Sequence, residues 1–153
     1  TIQRNSENNL KKNYHGSTAS AIDAIHVGNI DWTLGGGELG RGFYTTPDMW
    51  VASKASWNCG KDESVSVVEL IVNYSDCKRL HQEVFDLHYA QLEREKIKAM
   101  SGNGPRDFVY DFFDVIQSPI VGKEKYNINL QHKWQSIVAQ DLLNSNRVTR
   151  TVK

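Results

Sequence analysis

The clearest pattern of apolar positions lies at 66–72, Ser-Val-Val-Glu-Leu-Ile-Val, a short β-branched run bounded by turn residues on both sides. Such a run predicts a central strand. A helical pattern comes earlier, at 17–25, where Ala21, Ile22 and Ile25 fall on one side behind Ser17 or Ser20 as the cap. The polar-aromatic segment 13–17 before it predicts a strand ending at His15, Gly16 and Ser17. Residues 27–32 predict a turn with a strand-like Ile30 and Trp32. Pro47 and Asp48 open a second helix over 49–57, expected to pack through Met49, Ala52 and the Trp50/Trp57 pair. Residues 80–89 show no clean period. Residues 91–100 predict a solvated helix, ended by Ser101, Gly102, Asn103, Gly104 and Pro105, with Glu93 and Lys96 as an ordinary surface pair. Residues 108–116 are aromatic and β-branched, hence sheet-like. At 127–136, Ile128, Leu130, His132 and Trp134 alternate with Asn129, Gln131, Lys133 and Gln135, which predicts a strand with Gln131, Lys133 and Gln135 sharing one face. A short helix over 137–143 and a polar, basic tail over 144–153 complete the chain. Strands and helices mix without regular alternation, which argues for α+β with largely antiparallel pairing over a doubly wound parallel sheet.

Composition narrows the picture. The 153 residues, 39% of them hydrophobic, suit one compact domain. Lys+Arg and Asp+Glu both number 18, so no global field draws the chain to nucleic acid or anionic membrane, although a local basic face is compatible with this balance. No apolar run approaches membrane-spanning length, and no segment with a charged start and apolar centre stands out. The chain opens on Thr1, and residues 1–13 are polar, which suggests a lead-in from a longer protein ahead of a single domain over 14–153. Cys59 and Cys77 lack metal-ligand spacing and are expected as free thiols.

The glycines carry the strongest chemical hint. Five of the eleven, Gly35, Gly36, Gly37, Gly40 and Gly42, fall within eight positions, followed at once by the strand-like Phe43-Tyr44-Thr45-Thr46. Glycine suits backbone that takes φ > 0 or must let another group approach. The run is either a mobile hairpin loop or a lip that delivers Tyr44 to a fixed place on a sheet. A phosphate loop would end in Gly-Lys-Ser/Thr, and a dinucleotide fingerprint would lead into a helix; this run does neither. The histidines (His15, His26, His81, His88, His132) are scattered without zinc spacing, so a metal site is not expected.

Three elements occur in order: Tyr14-His15-Gly16-Ser17; Gly40-Arg41-Gly42-Phe43-Tyr44-Thr45-Thr46 before a helix; and Asp114-Val115-Ile116 leading to Gln131. In this they resemble the ADP-ribosyltransferase superfamily, in the His–Tyr–Glu branch of diphtheria-type toxins and poly-ADP-ribose polymerases, and most of all its small bacterial toxin domains. The resemblance spans about residues 14–143. It implies split antiparallel sheets flanked by short helices, NAD as substrate, and transfer of a single ADP-ribose to a protein or nucleic-acid acceptor. By it, His15 bonds a ribose hydroxyl, Gly16 pairs the carboxamide, Tyr44 stacks on nicotinamide, Ser17 and Thr46 support, Arg41 meets the pyrophosphate, and the lip with Gly42 and Phe43 closes over the nucleotide. The third position, usually glutamate, is Gln131 here, which keeps a hydrogen bond but brings no charge. Glu38 in the lip could supply the missing carboxylate as general base; Glu69 is the weaker candidate, as a solvated strand residue. Plain NAD hydrolysis and a non-catalytic NAD- or protein-binding module are the alternatives. The resemblance further implies secretion or delivery into a target cell as part of a larger protein, and a cognate immunity protein as partner.

Overall fold

The computed structural model describes residues 10–55, 59–60 and 63–153. In chain order the first half comprises β1 (Lys12–Ser17), α1 (Ala19–His26), β2 (Gly36–Gly37), β3 (Gly40–Arg41), β4 (Phe43–Thr45), α2 (Met49–Ser53) and β5 (Ser66–Ile71). The second half comprises α3 (Tyr74–Cys77), β6 (Gln82–Val84), α4 (Leu87–Ser101), β7 (Val115–Pro119), β8 (Leu130–Trp134), α5 (Ile137–Asn144) and β9 (Thr149–Val152), with a 3-10 turn at Glu124–Tyr126. The mixture is α+β.

Two sheets form the frame. One runs β1-β5-β9, antiparallel throughout, with the apolar run of β5 at its centre. The other runs β4-β8-β7-β6, antiparallel except for the parallel β6–β7 pair. A backbone bridge joins them: Tyr14 N–H donates to Thr46 O at 2.7 Å, and Thr46 N–H donates to Tyr14 O at 2.9 Å. The lip is a separate hairpin of β2 and β3. One apolar cluster joins Ile22, Ile25, Val68, Leu70, Trp134 and Leu143; another gathers Leu39, Phe85, Ala90, Ile97 and Ile116. Among the described residues no helix is long and apolar enough to cross a membrane.

Several expectations are corrected. Thr18, not Ser17 or Ser20, caps α1, its Oγ1 accepting from Ala21 N–H at 3.2 Å, while Ser17 closes β1. Ile30 and Trp32 lie in no strand, because side chains take the place of a ladder: Asn144 bonds both polar groups of the Ile30 backbone and Gln140 accepts from Trp32 N–H. The second helix stops at Ser53 and buries Val51 and Ala52; Met49 and Trp50 are exposed, and Trp57 lies outside the described residues. The sheet-like stretch 108–116 forms a strand only from Val115. Phe112 turns the chain with φ 71°, and the Gln135 amide holds Tyr110 and Phe113 by their backbones. The helix expected over 91–100 runs Leu87–Ser101, and its buried stripe of Ala90, Glu93 and Ile97 includes the glutamate expected at the surface. β6 gave no periodic signal because its three residues are all half-buried.

The polar, basic tail also gains structure. It ends in β9, an edge strand, and its cations pair with groups of the protein itself. Arg147 pairs with Asp76 at 2.7 Å, Arg150 donates to the carbonyls of Leu143, Ser145 and His26, and Lys153 lies 3.5 Å from Glu69. Glu69 itself is buried and accepts from the Tyr14 hydroxyl at 2.9 Å, so it is not a solvated strand residue.

Candidate functional site

A cavity of about 680 Å³ opens where the two sheets meet, walled by β1, α1, the lip, β4, α2 and the segment after β7. β1 brings His15 to it. The strand can approach α2 only because residue 16 is glycine: a Cβ there would lie 2.0 Å from the Ala52 carbonyl oxygen. His15 Nδ1 lies 2.6 Å from the Tyr44 carbonyl oxygen. A carbonyl only accepts, so Nδ1 carries the hydrogen and Nε2 of the neutral ring is left as an acceptor. Burial lowers the His15 pKa, with the Tyr44 carbonyl opposing, so the ring stays neutral near pH 7. Its plane packs on Phe43 at 4.5 Å between centroids.

The lip delivers Tyr44. Leu39 at its tip is fully buried in the second apolar cluster, which fixes the hairpin to the body. Gly40 sits at φ +99°, with Phe108 O where a Cβ would be. The Tyr44 hydroxyl donates to Gly40 O at 2.7 Å and accepts from Leu39 N–H at 3.1 Å. Its ring lies so close under Gly37 that a Cβ on that residue would fall 2.7 Å from Cε1 and Cζ. Burial raises the phenol pKa well above its usual value, so Tyr44 is a neutral, flat, clamped surface. Of the two readings of the glycine run, the clamped lip is the one with a structural basis.

β8 brings Gln131. The alternation puts Gln131, Lys133 and Gln135 on one face, and that face is buried, as is the opposite one at His132 and Trp134; Ile128, expected within the strand, is exposed ahead of it. Gln131 Nε2 donates to Glu38 Oε1 and to Pro119 O, the latter at 3.2 Å. Glu38 reaches across from the lip, its Oε1 accepting from Val121 N–H and its Oε2 from Gly122 N–H, both at 2.7 Å. The carboxylate absent from β8 therefore arrives beside Gln131 from another part of the chain.

Ser17, Gly42, Phe43 and Thr46 also line the cavity. Arg41 does not. Its guanidinium donates to Thr33 O and faces a second depression behind the lip. Beneath the cavity lies a buried network that motif reading missed. Asn13 Oδ1 accepts from Thr45 Oγ1 and meets His132 Nδ1, both at 2.7 Å; Thr45 Oγ1 accepts from Trp134 Nε1–H at 2.8 Å. His132 Nε2 lies 3.0 Å from the Gln117 amide, and burial pulls the His132 pKa down to about 3. The alternating positions of His132 and Trp134 were the available signal for this floor. The wall also includes Asp31, whose carboxylate, held by Thr33, has a lowered pKa.

No protein-family model matches this chain, and no curated protein matches it in sequence.

Proposed function

We propose that the chain is a mono-ADP-ribosyltransferase domain that cleaves NAD at the nicotinamide–ribose bond and passes ADP-ribose to a macromolecule. The observation that carries this reading is the convergence of His15, Tyr44 and Gln131, from three distant stretches, on one cavity of about 680 Å³. That volume falls in the range of about 300–1,000 Å³ typical of small-molecule sites. His15 Nε2 would accept from a ribose hydroxyl, and the Tyr44 ring would stack on nicotinamide. Both Nε2 hydrogens of Gln131 are spent on Glu38 and Pro119, which leaves its carbonyl oxygen to accept from the nicotinamide-ribose hydroxyl. The Glu38 carboxylate behind that amide offsets positive charge on the ribose as the C–N bond breaks and nicotinamide leaves with the electron pair.

One observation favours a second reading, NAD hydrolysis. Both Glu38 oxygens already accept backbone hydrogen bonds, which suits a fixed electrostatic role better than activation of a bulky acceptor, whereas water is small enough to reach the ribose carbon without a site of its own. Nicotinamide release from NAD, measured with and without target-cell lysate and followed by mass spectrometry of the lysate, separates the two. Transfer requires ADP-ribosylated macromolecules; hydrolysis yields free ADP-ribose alone. Unchanged nicotinamide release in a folded His15→Ala/Tyr44→Ala double variant would overturn both.

A further inference from the structure

Behind the lip, on the side away from the NAD cavity, a depression of about 420 Å³ is walled by Arg41, Arg94, Arg106, Pro105 and the lip glycines Gly36 and Gly37. In a chain whose formal charges cancel, three guanidiniums against the one carboxylate of Glu38 around a concavity are a local excess of positive charge. Arg41 and Arg106 have no carboxylate partner among the described residues. Arg94 is only loosely paired: its buried Nε lacks a hydrogen bond and lies 3.9 Å from Glu38, and its Nη1 is 3.4 Å from Glu95. Arg41 spends one donor on Thr33 O. Most of the fifteen or so guanidinium hydrogens that three arginines carry therefore face solvent or the depression. The planar fork of arginine matches phosphate oxygens two at a time.

The two concavities share Leu34, Gly36, Gly37 and Glu38, so the lip is their common wall. Where that wall is glycine it has only the thickness of backbone. A phosphate seated behind it would have its neighbouring sugar or base beside the shared wall, where Leu34, 81% exposed, offers an apolar face. We propose that the depression seats the phosphodiester backbone of a single-stranded nucleic acid, the acceptor of the transferred ADP-ribose; the acceptor role rests on the NAD reading above. A strand carries one permanent charge per nucleotide, which suits guanidiniums grouped this closely, and its unstacked groups can reach round the lip. In the transfer, an oxygen or nitrogen of the strand bonds to the ribose carbon as nicotinamide leaves with the electron pair, and the nucleophile gives up its proton to solvent.

The test is fluorescence anisotropy of a labelled short single-stranded RNA with the NAD-free protein over a salt series. Saturable binding is expected, and Arg106→Gln should weaken it about tenfold and flatten the log–log salt dependence by about 0.7, the loss of one phosphate contact. Arg106→Lys should keep the salt slope but bind more weakly, which separates lost contact from lost folding. Nicotinamide release into water should not change in Arg106→Gln. The proposal falls if binding does not saturate, if Arg106→Gln leaves it unchanged, or if a labelled acidic peptide binds as tightly and loses affinity in the same variant. Competition between NAD and RNA, with a raised KM for NAD in Arg106→Gln, would reassign the site to the diphosphate of NAD and overturn the acceptor role. RNA binding without nicotinamide release would leave the site standing while the NAD reading fails, and release without RNA binding would do the reverse.

Discussion

At the scale of single residues, the pairing of Gln131 with Glu38 decides how the site holds charge. Gln131→Glu, which restores the carboxylate usual in the resembled family, sets a second negative group against Glu38 and removes the amide donor. It should destabilise the fold by about 1–3 kcal/mol, the cost of an unpaired buried polar group, and, on the proposed function, lower NAD turnover. Adding Glu38→Gln removes the like-charge repulsion and supplies an amide donor to the new carboxylate, but it turns that donor against Val121 N–H or Gly122 N–H, so it should recover only part of that loss. Urea unfolding of the two singles and the double checks it; strictly additive effects would mean the side chains are not coupled. His132 sets a second residue-scale behaviour. Its folded pKa of about 3 lies far below the ordinary 6.5, so between those values the unfolded chain binds a proton that the native one refuses. Stability should then fall by about 1.4 kcal/mol for each pH unit below about 6.5, with His15 adding in the same direction. Unfolding curves at about pH 7.5 and about pH 5.5 measure the fall, and His132→Gln should lessen it.

At the scale of elements, steric and capping roles part cleanly. Gly16→Ala drives a Cβ to within 2.0 Å of Ala52 O and forces β1 off α2, so it should cost about 1–3 kcal/mol or more and displace His15 from the cavity. Thr18→Ala, two residues on, removes only the α1 cap and should cost about 1 kcal/mol with ligand binding retained. Thermal melts paired with NAD titration distinguish them; equal losses of binding would contradict the wedge. The elements show why some of the architecture was legible in the sequence and some was not. β5 and β8 announced themselves because apolar alternation and β-branching are local properties of the chain. The lip was legible from its glycines, and His15 and Tyr44 from what flanks them. Residues 108–116 misled because aromatic, β-branched composition says nothing of the Gln135 amide that holds that backbone in a turn. β9 misled because an edge strand needs no apolar face. The contact of Glu38 with Gln131 spans 93 positions, a separation that no local pattern reports, and Arg41 went to the wrong side of the lip because a glycine run does not reveal which face its side chains take.

At the scale of the whole molecule, the lip adds a ring of contacts to a frame whose two sheets are bridged through their backbones at Tyr14 and Thr46. Leu39 pins its tip in the second apolar cluster, Gly37 lies over Tyr44, and Glu38 takes two consecutive backbone amides after β7. The carboxylate thus holds the cavity wall to the four-stranded sheet. Glu38→Ala removes all of those hydrogen bonds without touching the core residue beside it. Losing charge-assisted bonds worth about 1.5–3 kcal/mol from a local rather than a global unit should speed hydrogen exchange at Val121 and Gly122 by about tenfold or more, while the amides of β5 exchange as before. If the wall loosens, the NAD affinity that the proposed function requires should fall in step, because the Tyr44 ring loses the cover of Gly37. Unchanged exchange at those two amides would mean that Leu39 alone holds the lip. Faster exchange throughout β5 would mean instead that the lip is part of the global folding unit, and the cavity could then open only when the protein unfolds.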